Sequence, residues 1–444
     1  MLYRKIEGVL EEELLNSNKI PMIEGARQIG KTYIIRYVGQ KLFKNFIEIN
    51  LLDDFNSDKI FENINSVDKF YMQISAIYGN MLDTKKNTLI FLDEIQVYPH
   101  LITMLKFLKD DDKYTYITSG SLLGVTLRKC VSVPMGYVQT IQMYPLDFEE
   151  FLIANGVGEN VINEMKERYE KSLPLDLPLH TTILDYFKKY LIVGGLPDAV
   201  NSYLEDKNIA KIRNIQKEIQ EYYKIDASQY DVKNKLKISR IYDLIPSYLE
   251  SKKKRVIIKE IDGKKERYED YSEEFDYLIS SGTALEVEAF TNPVFPLLES
   301  SKSNLLKLYF NDVGLITNNY FEKNINAIID DKLCINLGTV YETVVATELK
   351  AHLNKLYYYD NRTKGEVDFL INDYNNLAVL PIEVKSGKDY KLHNSLNKFI
   401  TNYNIPKAIV LSNERNVFTE DKILYLPIYY VMFINDKKDE EITF

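Results

Sequence analysis

The chain is poor in the residues that build stapled or metal-rich sites. Cysteine occurs twice in 444 residues, at Cys130 and Cys334, too few for a disulfide framework or a cysteine-rich zinc site. A reducing, cytoplasmic setting is the simple expectation, and both thiols read as core residues. Histidine occurs four times, at His100, His180, His352 and His393, with no two at metal-ligand spacing, which argues against zinc chemistry. Tryptophan is absent while tyrosine numbers 34, a skew that reads as codon usage in an AT-rich genome. No apolar run approaches the ~20 residues of a membrane helix; runs such as Leu89–Leu92 and Ile428–Ile434 stop far short. The opening residues, Met1 to Gly8, lack the apolar stretch of a secretion signal. Positive charge is also in deficit: 56 Lys and Arg stand against 65 Asp and Glu, a net charge of −9. A uniformly acidic chain repels nucleic acid, so any such contact needs a local basic patch.

What is present is ordinary for folded domains. Hydrophobic residues make up 45% and charged residues 27%, enough apolar surface for sizeable cores. At roughly 150 residues per domain the length suggests three domains, placed at 1–150, 151–330 and 331–444. In the first, apolar strands (Pro21–Gly25, Phe46–Asn50, Asn87–Glu94, Tyr114–Ser119) alternate with helical patterns such as Tyr33–Phe43. Near-continuous apolar strands between helices predict a parallel sheet covered on both faces. The middle region is mostly helical, with a sharp break at Gly194-Gly195-Leu196-Pro197. The last region opens with a helix, Leu337–Leu353. Strands follow at Leu356–Tyr359, Glu366–Ile371 and Leu377–Val384, then a helix at Leu392–Asn402 and a strand at Ala408–Ser412.

Chemistry enters with Gly25-Ala26-Arg27-Gln28-Ile29-Gly30-Lys31-Thr32, a full G-x-x-x-x-G-K-[ST] match between an apolar strand and a helix. Its glycines let the backbone curl so that successive N–H groups face phosphate oxygens, at a helix N-terminus that favours anions. Lys31 reaches the β- and γ-phosphates and the Thr32 hydroxyl holds Mg²⁺. Leu89-Ile-Phe-Leu-Asp93-Glu94 reads as a buried strand with carboxylates at its C-terminal tip, where open α/β sheets bind ligands. Asp93 supports Mg²⁺ through its water shell and Glu94 polarises the attacking water. At the tip of a third strand Ser119 either senses the γ-phosphate or caps the next helix. Arg27 and Arg128 are candidates for stabilising transition-state charge.

These residues resemble the AAA-type ATPase family that carries a C-terminal domain of unknown function, DUF4143. The resemblance extends to Leu92-Asp-Glu-Ile-Gln, Thr118-Ser-Gly-Ser and Tyr144-Pro-Leu-Asp-Phe-Glu-Glu-Phe. It continues through Gly194-Gly-Leu-Pro, Ile245-Pro-Ser-Tyr-Leu, Leu278-Ile-Ser-Ser-Gly-Thr-Ala and Lys307-Leu-Tyr-Phe-Asn-Asp-Val-Gly-Leu. It implies a P-loop NTPase fold in front, a helical, winged-helix-like middle, and ATP with Mg²⁺ as cofactors. One departure stands out: where many members have Gly-Arg, this chain has Gly136-Tyr137, which removes the natural arginine-finger candidate. In the middle, Lys252-Lys-Lys-Arg255 beside a helix and before the β-like Val256–Ile258 is a possible phosphate-backbone contact, although Glu260, Asp262 and Glu266 crowd it.

The C-terminal region looks like the restriction-endonuclease-like PD-(D/E)xK fold. Glu366-Val-Asp368 is followed by Pro381-Ile-Glu383-Val-Lys385, with Glu342 on the preceding helix. Glu383 and Lys385 share a strand face. A four-residue turn, Asp373–Asn376, sets Asp368 opposite Pro381 and diagonal to Glu383, within reach of a shared metal. Asp368 and Glu383 are then metal ligands, and Lys385 stabilises charge at a scissile phosphate. Three functions follow: an ATP-driven switch whose C-terminal region engages nucleic acid, an ATP-gated metal-dependent nuclease, or a nucleotide-binding module that docks a protein partner.

Overall fold

The computed structural model describes residues 2–121, 134, 136–230, 235–263, 267–298, 305–329, 337–361, 363–387 and 390–434. Arg128, Cys130 and Cys334 lie outside the described residues. The chain divides into two compact units.

The first unit comprises residues 1–144 together with Asp276–Thr283. Its elements are α1 (Ile6–Asn16), β1 (Ile20–Glu24), α2 (Lys31–Leu42), β2 (Asn45–Asn50), α3 (Leu51–Asn56) and α4 (Val67–Tyr78), then β3 (Thr88–Asp93), α5 (Pro99–Asp111), β4 (Thr115–Gly120) and β5 (Val138–Gln142). The strands form one all-parallel sheet in the order β2-β3-β4-β1-β5, a doubly wound P-loop NTPase arrangement. Every residue of β3 is buried, as expected for a strand covered on both faces. Ile47, Ile90, Leu92, Ile102 and Tyr116 share one core cluster in this unit. The order seats β4 between β1 and β3, so three strand tips converge on one edge. Strand β5 carries only partly buried and exposed residues, which hid it from a reading based on apolar runs.

The second unit comprises residues 145–275 and 284–444. Helices come first: α6 (Phe148–Ala154), α7 (Glu159–Glu170), α8 (Leu177–Val193), α9 (Pro197–Asp206), α10 (Ile209–Tyr230), α11 (Lys235–Glu250), α12 (Lys259–Asp262) and α13 (Ser272–Ser280, whose last residues belong to the first unit). An eight-stranded mixed sheet follows. Its strands are β6 (Ala284–Phe290), β7 (Leu306–Phe310), β8 (Tyr357–Asn361), β9 (Gly365–Asp373), β10 (Ala378–Val384), β11 (Ala408–Ser412), β12 (Phe418–Glu420) and β13 (Ile423–Pro427), in the order β12-β13-β11-β10-β9-β8-β6-β7. Between them lie α14 (Val313–Phe321), α15 (Asn326–Ile329), α16 (Gly338–Ala351) and α17 (Asn394–Tyr403). Strands β6 and β7 precede residue 331 in sequence yet extend the sheet built from residues after it. Val256–Ile258 forms no strand: Val256 N donates a single bond to Leu306 O at 2.9 Å, and α12 begins at Lys259.

A buried polar knot explains two of the sequence landmarks. Asp312 accepts hydrogen bonds from Gly195 N at 2.5 Å and Gly314 N at 2.8 Å. A Cβ on Gly195 would sit 1.9 Å from Leu146 O, so only glycine fits. Burial raises the Asp312 carboxyl to about 6, while bonds from four backbone amides (Gly195, Gly314, Leu315 and Leu196) pull it back. Arg213 reaches into the same region, donating to Ile192 O at 3.0 Å, Gly314 O at 3.2 Å and Thr317 Oγ1 at 3.0 Å.

Candidate functional sites

The phosphate loop curls between β1 and α2. Gly25 has φ +152° and Gly30 φ +91°, and Gln28 also sits in the left-handed region at +64°. A Cβ on Gly25 would lie 2.3 Å from Met143 O, so the first loop glycine is demanded by close backbone approach. Lys31 is buried and folds back, donating to Gly25 O at 3.0 Å and Ala26 O at 2.8 Å. Its ammonium is thus held by the loop's own carbonyls.

The carboxylates arrive from β3. Thr32 Oγ1 donates to Asp93 Oδ2 at 3.0 Å, and Ser119 donates a short bond to Asp93 Oδ1. Burial pushes the Asp93 carboxyl up, with the neighbouring Glu94 charge adding to it; the Ser119 and Thr32 bonds oppose this. Glu94 stands in the left-handed region at φ +55°, a strained placement for a residue with a Cβ. It accepts from Ser121 Oγ at 3.0 Å and from Gln96. Burial raises the Glu94 carboxyl, but Lys31, Gln96, Arg27 and Ser121 together hold it below its ordinary value. It is therefore anionic at neutral pH, as a base toward water must be. Arg27 Nε is 3.4 Å from Ser121 Oγ, at the edge of the same group.

The structure therefore brings Arg27, Lys31, Thr32, Asp93, Glu94 and Ser119 into one centre. A hydroxyl beside a buried carboxylate is the donor set that suits Mg²⁺ with most of its water shell retained. Sequence reasoning missed that Ser121 and Gln96 clamp Glu94. Their nearness to the strand tips in sequence was the available signal. Tyr137, in the slot of the missing arginine, accepts Ile20 N through its carbonyl at 2.8 Å and serves the sheet.

The second cluster lies at β9, β10 and α16. The β9–β10 ladder pairs Ala378 with Asp373 and Ile382 with Phe369. The connecting turn is still four residues, but it is Tyr374–Leu377. The register therefore carries Asp368 toward Glu383 itself rather than opposite Pro381, and the two acids keep a common face. Val384 N donates to Asp368 Oδ2 at 2.8 Å. Lysines occupy the other acids. Lys385 Nζ donates to Glu383 Oε1 at 2.8 Å, Lys254 to Glu342, and the fully buried Lys307 to Glu366. Tyr309 donates to the remaining Glu342 oxygen at 3.1 Å. Burial raises Glu383 to about 8, Asp368 adds to this, and Lys385 opposes it. Burial and Asp368 also raise Glu342, against Lys254 and Lys307.

Does this cluster fit a metal? Glu383 Oε2 is buried without a hydrogen-bond partner, which leaves one acceptor open. Yet among the described residues no group of three or more His, Cys, Asp or Glu side chains is arranged to hold a metal ion. The lysines have taken the charge a cation would balance, so this cluster is not a preformed metal cage. The cationic run is partly consumed in the same way: Lys254 faces Glu342 and Arg255 Nη1 meets Asp360 at 2.8 Å. The histidines have structural partners. His180 meets Tyr429 Oη at 2.9 Å, His393 meets Tyr425 Oη at 2.7 Å, and His100 and His352 meet backbone carbonyls.

Three family models match in tandem: an AAA domain over residues 17–152, a domain of unknown function (DUF8612) over 184–323, and another (DUF4143) over 337–431. An uncharacterized protein of Methanocaldococcus jannaschii is 27% identical over 408 residues, 86% of this chain and 82% of that protein. Among solved structures, a Walker-type ATPase of Pyrococcus abyssi is 15% identical, with a TM-score of 0.43, covering 71% of this chain and 95% of that one. Cdc6p from Pyrobaculum aerophilum is 12% identical at a TM-score of 0.27, covering 75% of this chain and 96% of that one. No helix among the described residues is long and apolar enough to cross a membrane. Residues 17–152, which match the AAA-domain model, thus fold as a parallel-sheet P-loop NTPase unit, and residues 337–431 match DUF4143.

Proposed function

We propose that the protein is a Mg²⁺-dependent ATPase whose nucleotide state switches the second unit. One observation carries this: Lys31 and Thr32, at the start of α2, meet Asp93 and an anionic Glu94 at the C-terminal end of β3. In this reading Lys31 leaves the Gly25 and Ala26 carbonyls for the β- and γ-phosphates. Thr32 and Asp93 would hold Mg²⁺, which when bound neutralises charge on the phosphates. Ser119 fixes Asp93, and Glu94, held by Ser121 and Gln96, orients and polarises the attacking water. Arg27, 3.4 Å from Ser121 Oγ, is a cation placed to meet charge developing at the transferred phosphoryl group. ATP hydrolysis measured with Mg²⁺, alone and with single-stranded DNA, double-stranded DNA or RNA, tests the switch. Stimulation identifies the ligand of the C-terminal region; no hydrolysis under any condition sinks the enzymatic reading. If binding persists without nucleic-acid stimulation and a protein is captured instead, the module docks a partner protein.

A second reading, nucleotide-gated phosphodiester cleavage, draws support from Asp368 and Glu383 facing each other with Lys385 two residues on. The lysines on Glu342, Glu366 and Glu383 weigh against it. Cleavage retained by the combined Asp368→Ala, Glu383→Ala and Lys385→Ala variant would retire it.

A further inference from the structure

Residues Asp276–Thr283 follow most of the helical region in sequence yet cluster with the first unit. They end α13 in a Schellman motif. Thr283 N donates to Leu278 O at 3.2 Å, Gly282 N donates to Ile279 O at 3.0 Å, and Gly282 takes φ +71°. The Ser281 and Thr283 hydroxyls both bond Leu278 O, at 3.2 and 3.1 Å, and meet each other at 3.0 Å. Tyr277, Leu278, Ser281 and Thr283 are buried, so this turn is rigid and doubly fastened.

Its bare face meets the phosphate loop. A Cβ on Gly282 would lie 3.1 Å from Ala26 N and 3.7 Å from both Ala26 Cβ and Gly25 C. Gly282 is therefore favoured twice, for its positive φ and for an approach that a Cβ would make tight. The residues it touches, Gly25 and Ala26, are those whose carbonyls Lys31 grips. When Lys31 turns to a triphosphate, the two carbonyls lose their cation, and the peptide units against Gly282 change their electrostatic surroundings. The chain then enters β6 at Ala284, immediately after the turn. Strand β6 is hydrogen-bonded to β7 and β8, and β8 pairs with β9, the strand of Asp368.

We propose that the Ser281-Gly282-Thr283 turn is a positioning element of the phosphate loop, and that it conveys the loop's nucleotide state along the chain into β6. This rests on the ATP-binding reading above and names the segment through which that reading is regulated. The turn holds Gly25 and Ala26 in the curl that receives phosphate, and release of Lys31 is its trigger.

The test uses the full chain and ATP with Mg²⁺. Gly282→Ala adds a Cβ against Ala26 in a strained backbone and is expected to weaken ATP affinity about fivefold or more. Gly263→Ala is the control. Gly263 has φ +79° but nothing within 4 Å of its Cβ position, so it shares the backbone strain without the loop contact. It should leave affinity within about twofold. Hydrogen exchange gives a readout that needs no variant at Gly282. Amides of residues 276–290 should change their exchange on adding ATP in the wild type and not in Lys31→Ala. Equal affinity in the two glycine variants, or unchanged exchange at 276–290 while the phosphate loop itself becomes protected, would overturn the inference. Absence of ATP binding by the wild type would remove the reading beneath it, and this inference with it.

Discussion

At the nucleotide centre, Asp93 and Glu94 face hydroxyls and an amide, while Lys31 is held by the loop's own carbonyls. At the second cluster, Glu342, Glu366 and Glu383 each hold a lysine. Both centres assemble acids, lysines and hydroxyls from strands and helices, yet their charge balance differs. A carboxylate bound by neutral donors can exchange them for a cation and its waters at small cost. A buried carboxylate already bound to lysine must surrender an ion pair, and breaking such a pair by removing one partner costs about 3–5 kcal/mol. The first arrangement is poised for a ligand; the second is already neutralised.

Turnover separates the two centres most sharply. Glu94→Gln should keep ATP binding and lower the hydrolysis rate by about 10²–10⁴; a steady-state phosphate-release assay checks it. Unchanged turnover would show that Glu94 is merely a clamped acid, like those of the second cluster. Next comes stability. Glu342→Ala leaves Lys254 and Tyr309 without their buried acceptor and should cost about 3–5 kcal/mol in denaturant unfolding. Asp93→Asn, whose partners are hydroxyls, should cost about 1–2 kcal/mol. Similar losses would erase the distinction.

Asp312 offers a third kind of balance, a carboxylate held by backbone amides. Its folded value near 6 lies above the ordinary value near 3.9, so the native state binds the proton more tightly than the unfolded chain. Its contribution to stability therefore falls as pH rises from about 4 to about 6 and levels off above. The total is about 3 kcal/mol over that window. Asp312→Asn should remove this downward slope from unfolding curves measured across those pH values. The smallest effect is expected at Arg255 and Asp360, a partly exposed pair at the edge of the cluster. Arg255→Ala should change stability by about 1 kcal/mol or less. If gel shifts show that it weakens binding to DNA or RNA, the cationic run contacts phosphate after all.

Much of the nucleotide centre was legible because its signals are local. The loop occupies eight consecutive residues, and β3 is a continuous apolar run ending in its acids. Strand β11 (Ala408–Ser412) was likewise bounded by its apolar character. The rest depends on long-range partners. Nothing near Lys254 or Lys307 in sequence announces that they will meet Glu342 and Glu366, 88 and 59 residues away. The cationic run therefore looked like a phosphate-binding surface. The Asp368–Glu383 parity was readable from the turn length, but not the one-residue shift of the turn. Gly282 stood inside a recognised motif, yet its nearness to Ala26 arises only once a distant segment folds onto the first unit. Strand β5 lacks an apolar face and gave no signal.

In the proposed reading the loop around Lys31 receives a nucleoside triphosphate. Calorimetric titration of the wild-type chain and of Lys31→Ala with ATP and Mg²⁺ tests it most directly. Saturable binding at one site per chain is expected, weakened about tenfold to a hundredfold or more by the substitution. No binding by the wild type, or equal affinity in the two proteins, would contradict it.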